Sequence, residues 1–152
     1  MTTTISRPVW AELAGPEHAD GLEQIYEGFL LHYGRPRQAT SAEQDSLLGG
    51  DEQYAQGLAR VAKLDDPEAI AVLAELIGLA SRGRAEHGIE ADDFALWAAT
   101  ARFLADRSRR EVYRAALLAL RDRGDGTPLE ALVADLELGR ERAAHRALAG
   151  AG

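Results

Sequence analysis

Cysteine is absent from this 152-residue chain. That one absence excludes disulfides, thiolate metal sites and cysteine nucleophiles together, and it suits a reducing interior. Lysine is nearly absent too: Lys63 stands alone, and arginine takes almost every other basic position. No apolar run is long enough for a bilayer. The longest, AIAVLAELIGLA, is broken by Glu75 and falls short of the roughly 20 residues a span requires. The opening MTTTISRPVWAEL has neither the basic start nor the apolar stretch of a secretory signal, so a cytoplasmic protein is expected. Positive charge is also short overall. A net charge of −8 argues against general binding to phosphate backbones. P-loop, dinucleotide-fingerprint and nucleophile-elbow patterns are missing as well.

What is present is helix-forming. With 46% hydrophobic and 28% charged residues the chain can bury a core without staples. Strand alternation is not seen, whereas helix punctuation recurs. Ser6 suits the cap of a short helix to Leu13, closed by Gly15-Pro16. A longer helix to about Tyr33 would end on Gly34 in the left-handed C′ position, with Pro36 blocking continuation. Ser41 and Gln44 suggest a capping box for a short helix ending at Gly49-Gly50, after which Asp51 opens another to about Leu64. Asp66-Pro67-Glu68 combines an N-cap, an N1 proline and a first-turn acid. The helix it opens carries Ile70, Val72, Leu73, Leu76, Ile77 and Leu79, is apolar nearly all round, and is expected at the centre.

After a turn between Gly83 and Gly88, a helix over 91–105 places Phe94, Trp97 and Phe103 in the core. Ser108 with Glu111, and Thr127 with Glu130, read as two further capping boxes. The tail ALAGAG reads as frayed. The expectation is one all-α domain over 1–152, a bundle of about six to eight helices, with a flexible start and a loose tail from about residue 147.

Candidate chemistry is sparse. Of His18, His32, His87 and His145, only His145 has a carboxylate one turn away, at Glu141, and a surface salt bridge explains that pair. Di-iron bundles need Glu-x-x-His pairs, and none occurs, so no metal and no cofactor is expected. Asp65-Asp66 and Asp92-Asp93 stand at helix starts, where capping accounts for them. Trp10, if exposed, would be a natural interface anchor. From Arg102 to Arg123 seven arginines face only Asp106, Glu111 and Asp122. A solvated helix face accounts for them; the alternative is a phosphate- or nucleic-acid-binding face.

Between Leu22 and Tyr33 one helical stripe is apolar (Leu22, Ile25, Tyr26, Phe29, Leu30, Tyr33), and Glu23 and Glu27 lie one turn apart on the other side. Glu23-Gln24-Ile25-Tyr26-Glu27, then His32-Tyr33 and Gly34-Arg35-Pro36, follow the order of an acidic helix, an arginine pair and Gly-x-Pro. Leu47-Leu48-Gly49-Gly50-Asp51 leads into an alanine-rich segment, and Ala99-Thr100 follows later. In this order residues 22–104 faintly resemble the trans-isoprenyl (polyprenyl) diphosphate synthases. The resemblance implies a shortened terpenoid-synthase-like bundle with Glu23, Glu27, His32, Arg35, Asp51 and Thr100 at binding positions. Glu23, Glu27 and Asp51 would then face a common central cavity. The chain departs from that family where its chemistry resides: the aspartate-rich motifs and the diphosphate-binding arginines and lysine are not preserved.

The expectation is therefore a non-catalytic helical protein that acts through another protein or a second copy of itself, with no catalytic residue. The first alternative is a catalytically impaired small subunit of a heteromeric prenyl diphosphate synthase. The second is a phosphate- or nucleic-acid-binding module using Arg102–Arg123, although nucleic acid is not the expected partner.

Overall fold

The computed structural model describes residues 7–38 and 46–150. Among the described residues eight α-helices follow one another: α1 Ala11–Ala14, α2 Ala19–Tyr33, α3 Ser46–Ala62, α4 Pro67–His87, α5 Phe94–Ala105, α6 Arg110–Arg123, α7 Thr127–Val133 and α8 Gly139–Ala149. A 3-10 turn, Gly88–Glu90, links α4 to α5. The fold is an all-α bundle, with no strand among the described residues. None of the described helices is long and apolar enough to cross a membrane. Ser6 and the Ser41/Gln44 pair lie outside the described residues.

The central elements are α2 and α5, not α4. Every residue from Gly21 to Leu30 is buried, and α5 buries all but Arg102 and Ala105. Ala98, Ala99 and Ala101 keep α5 slender, so α1, α4 and α7 can pack around it. By contrast, α4 leaves Ala71, Ala74 and Gly78 exposed and Ile70 and Ile77 half-buried. Its alanines count as apolar in the sequence, yet they forfeit little by facing water. Trp10 is fully buried and so is no surface anchor. Its ring lies 5.5 Å from those of Tyr26 and Phe94 and 6.3 Å from that of Trp97.

The tightest packing joins α2 to α3. A Cβ on Gly57 would stand 2.6 Å from the Ile25 side chain and 3.0 Å from the Gly21 carbonyl. On Gly28 it would stand 2.8 Å from the Gly50 carbonyl and 2.9 Å from the Tyr54 ring. Glycines seven residues apart on each helix thus let the two backbones touch. This closeness explains why α3 runs unbroken through Gly49-Gly50, where the sequence suggested a break. Gly50 is a contact for His32 and not a turn.

Several end signals hold. Asp66 caps α4 by accepting from the Ala69 amide at 3.2 Å. Gly15 has positive φ where the turn was expected, and Gly124, which the sequence had not marked, also has positive φ and closes α6 with the Asp125 amide donating to the Ala119 carbonyl at 3.2 Å. Others differ. Gly34 is extended (φ −141, ψ −148), and its missing side chain makes room for the Leu148 carbonyl. Neither later capping box forms: α6 and α7 start without a side-chain cap, because Asp106 and Asp125 take the Ser108 and Thr127 amides instead. The helix expected from 91 begins at Phe94.

The chain is helical through Ala149, so residues 147–149 are not loose. Their carbonyls accept from the Arg35 side chain (Ala147, 3.0 Å), the Arg35 amide (Leu148, 2.8 Å) and Arg84 (Ala149, 2.7 Å). Two cations at a helix C-terminus also suit its dipole.

Candidate functional site

Glu23 and Glu27 do not form a solvated face. Both are buried, and the fully enclosed Arg37 side chain sits between them, bonding Glu27 Oε1 at 2.9 Å and Glu23 Oε1 at 2.5 Å. The remaining lone pairs are also taken. Glu23 accepts the Val9 and Trp10 amides, Glu27 accepts the Gln38 amide at 2.9 Å, and Arg37 donates to the Arg7 carbonyl at 3.2 Å. The cluster latches the segments before α1 and after α2 onto the central helix. It is full of protein.

A second buried chain lies beside it. Tyr26 Oη is 2.7 Å from His145 Nδ1, His145 Nε2 is 2.8 Å from Asp93, and Arg84 bonds Asp93 through Nε (2.9 Å) and Nη2 (3.1 Å). Burial works to raise Asp93, but hydrogen bonds from His145 and Arg84 outweigh it and hold the carboxyl below its ordinary value. The Asp–His–hydroxyl order is that of a nucleophile relay. Here it has no outlet: Tyr26 is fully buried, and burial pushes its phenol far above the ordinary value. This corrects two expectations. Asp93 does not cap α5 with its side chain, and His145 with Glu141 is no surface pair, since both are buried and His145 turns to Asp93.

The other positions singled out by the sequence serve elsewhere. His32 bonds the exposed Asp51 at 3.0 Å, Arg35 holds the end of α8, and Thr100 is enclosed between the Leu96 carbonyl and the Tyr113 hydroxyl at 2.7 Å each. The structure thus joins Glu23 to Glu27 through Arg37, and His32 to Asp51, but does not gather the six residues.

The arginine-rich segment is largely spoken for. Arg107 bonds Asp66 (2.7 Å) and Glu68 (2.9 Å), and Arg110 and Arg114 also converge on Glu68. Arg102 pairs with Asp135 and Arg121 with Asp122. Arg107 for Asp66, and Arg110 for Glu68, are the main causes that hold both carboxyls at about 2.

What stays open is a groove beside α5. One hollow of about 380 Å³ lies between Leu79 and Gly83 of α4, Leu96 of α5 and Leu129 of α7. Another, of about 500 Å³, runs on past Val133 and Leu138 toward Arg142 of α8. They share Asp92, Ala95 and Glu130 and so adjoin one another. Ile89, 55% exposed, stands on the adjoining 3-10 turn. Asp92 and Asp93 both line the groove, Asp92 exposed and Asp93 buried. The sequence missed Arg37, Arg84 and the groove, because their partners are distant in the chain. Only the doubled Asp92-Asp93 hinted that one acid had more to do than cap.

Compared with protein-family models, with curated proteins and with solved structures, the chain matches none.

Proposed function

We propose that the chain is a non-catalytic helical protein that works by binding another protein. One contrast carries this reading. The groups that could perform chemistry are bonded inward, Glu23 and Glu27 to Arg37 and Asp93 to Arg84 and His145, whereas the large apolar side chains of Ile89, Val112 and Leu118 stand exposed. Apolar surface left exposed gains free energy when a partner covers it. The diphosphate reading gains nothing from these contacts, since Arg35 and Arg37 already hold protein carbonyls and carboxylates. The phosphate-binding reading gains little, since Arg107, Arg110 and Arg114 share Asp66 and Glu68.

The test is light scattering of the purified chain, joined to cross-linking in its native cell and mass identification of what is captured. A defined partner, captured reproducibly and in fixed ratio, supports the reading. A strict monomer that captures nothing and turns over a small-molecule substrate sinks it.

A further inference from the structure

One buried carboxylate lacks a hydrogen bond. Glu141 stands in the first turn of α8 with its side chain only 10% exposed, yet neither of its oxygens accepts a hydrogen bond among the described residues. The other enclosed acids all do: Glu23, Glu27 and Asp93 are held by amides, arginine or histidine. The nearest cation is Arg140, whose Nη2 stops 3.8 Å from Glu141 Oε2, beyond hydrogen-bond reach, and bonds Glu12 instead. A first-turn acid suits the helix dipole, but the dipole favours an exposed acid as well and does not account for the burial. A buried charge without hydrogen bonds is costly, and a donor that reaches it relieves the cost.

Space for a donor lies beside it. Glu141 lines a hollow of about 730 Å³ between α1, the start of α2 and the first turns of α8. Pro8 and Pro16 are exposed there, and Ala19 and Ala144 are half-buried, so the hollow keeps apolar surface open to an occupant. The wall is set in advance, because the Val9 amide next to Pro8 is tied to the buried Glu23 at 3.0 Å. Apolar walls around a single polar group are the usual make-up of a small-molecule site.

The chemistry of the occupant follows from the donor it must bring. A divalent metal would need several oxygens, and with Glu12 taken by Arg140 one carboxylate is left. A neutral donor would leave the charge unbalanced. A primary ammonium brings three donors and the opposite charge together, and a hydrocarbon body behind it would cover the prolines and alanines.

We infer that this hollow binds a small primary amine, its ammonium on Glu141 and its hydrocarbon body against Pro8, Pro16, Ala19 and Ala144. The site is separate from the exposed Ile89, Val112 and Leu118 on which the protein-binding reading rests.

The probe is cyclohexylamine, titrated at neutral pH into the full chain labelled with nitrogen-15. Amide shifts at Ala19, Glu141 and Ala144 should saturate with a Kd in the millimolar range. Cyclohexanol, similar in shape but uncharged, should bind about tenfold more weakly or worse. Glu141→Gln keeps the size of the side chain and should weaken cyclohexylamine by about tenfold or more. Ala144→Leu, which fills the hollow without touching the carboxylate, should weaken it comparably. Glu90→Gln removes an exposed acid elsewhere and should leave it within about twofold. Arg140→Gln should leave binding unchanged or tighten it, since the amine then has no rival for Glu141.

The inference is overturned if no shift saturates at millimolar concentrations, or if cyclohexanol binds as well. It is also overturned if Glu141→Gln or Ala144→Leu, folded as the parent is by circular dichroism, binds unchanged. Equal weakening by Glu90→Gln and Glu141→Gln would reduce the effect to the general attraction of an acidic chain for cations, and loss of binding in Arg140→Gln would assign the hollow to an anion. A blocked Ala-Lys-Ala peptide held more than about tenfold tighter than cyclohexylamine would make the ammonium a side chain of a protein partner. Each of these removes the small-amine site.

Discussion

Gly21, Gly28, Gly50 and Gly57 lie under a neighbouring helix, while Gly83, Gly126 and Gly139 face space. The first set forms the α2–α3 seam, the second part of the groove beside α5. Polar groups divide the same way. Next to the seam, Glu23 and Glu27 are enclosed with Arg37; on the groove rim, Glu90, Asp92 and Glu130 are exposed without an ion partner among the described residues. Glycine and glutamate thus mean opposite things in two parts of one chain. What differs is whether the chain itself supplies the covering surface.

Substitutions can break or sharpen this contrast. The largest effect is expected at Arg37. Arg37→Ala leaves two buried carboxylates without their cation and should cost about 4 kcal/mol in urea denaturation. Asp92→Asn on the rim should change stability by less than about 0.5 kcal/mol. Equal losses would mean that the enclosed cluster is no more committed than the rim.

The next effect lies in the seam. Gly57→Ala places a methyl group 2.6 Å from Ile25 and 3.0 Å from a backbone oxygen that cannot turn aside. It should cost about 2 kcal/mol by the same measurement. No loss of stability would show that the helices can separate freely.

A comparable effect belongs to neither region and serves as a reference. Asp66 and Glu68 are held at about 2, below their ordinary 3.8 and 4.5, chiefly by hydrogen bonds from Arg107 and Arg110. A lowered folded value means the stabilisation is complete above the unfolded value and is lost as pH falls through the folded one. The double variant Asp66→Asn/Glu68→Gln should therefore be less stable than the parent by about 2 kcal/mol at neutral pH, after allowing for partial exposure. The difference should shrink as pH falls from about 4.5 and vanish only below about 2. A difference that stays constant with pH would place its cause elsewhere than in charge.

The smallest effect has the opposite sign. Gly83→Ala meets no neighbour and improves a helix, so it should raise stability by about 0.5–1 kcal/mol. The same change that harms the seam at Gly57 should help in α4. A loss at Gly83 would mean that the groove is filled from within the chain.

Much of the helical pattern was legible, because the signals involved are local. Asp66-Pro67 starts α4, and Gly15 adopts the positive φ that ends a helix or turn. Misreadings arose where a local signal was claimed by a distant partner. Gly34 looked like a left-handed cap but admits α8; Gly49-Gly50 looked like a break but gives His32 its place; Asp93 looked like a cap but binds Arg84 and His145. The candidate site was less legible still. Glu23 and Glu27 one turn apart read as a polar face, and nothing adjacent says that Arg37 returns to neutralise them.

By itself, then, the sequence determined the all-α class, the Asp66 start of α4, the end of α2 near Tyr33 and the absence of thiol chemistry, since each depends on composition or on residues a turn or two apart. Tertiary structure decided which helices are central, which glycines are covered, and which charges are enclosed. Those outcomes depend on whether a partner many residues away arrives to fill a space or balance a charge, as Arg37 does for Glu23 and no described residue does for Glu130. Burial free energy follows from that arrival, and a residue's type states only what it would gain or lose.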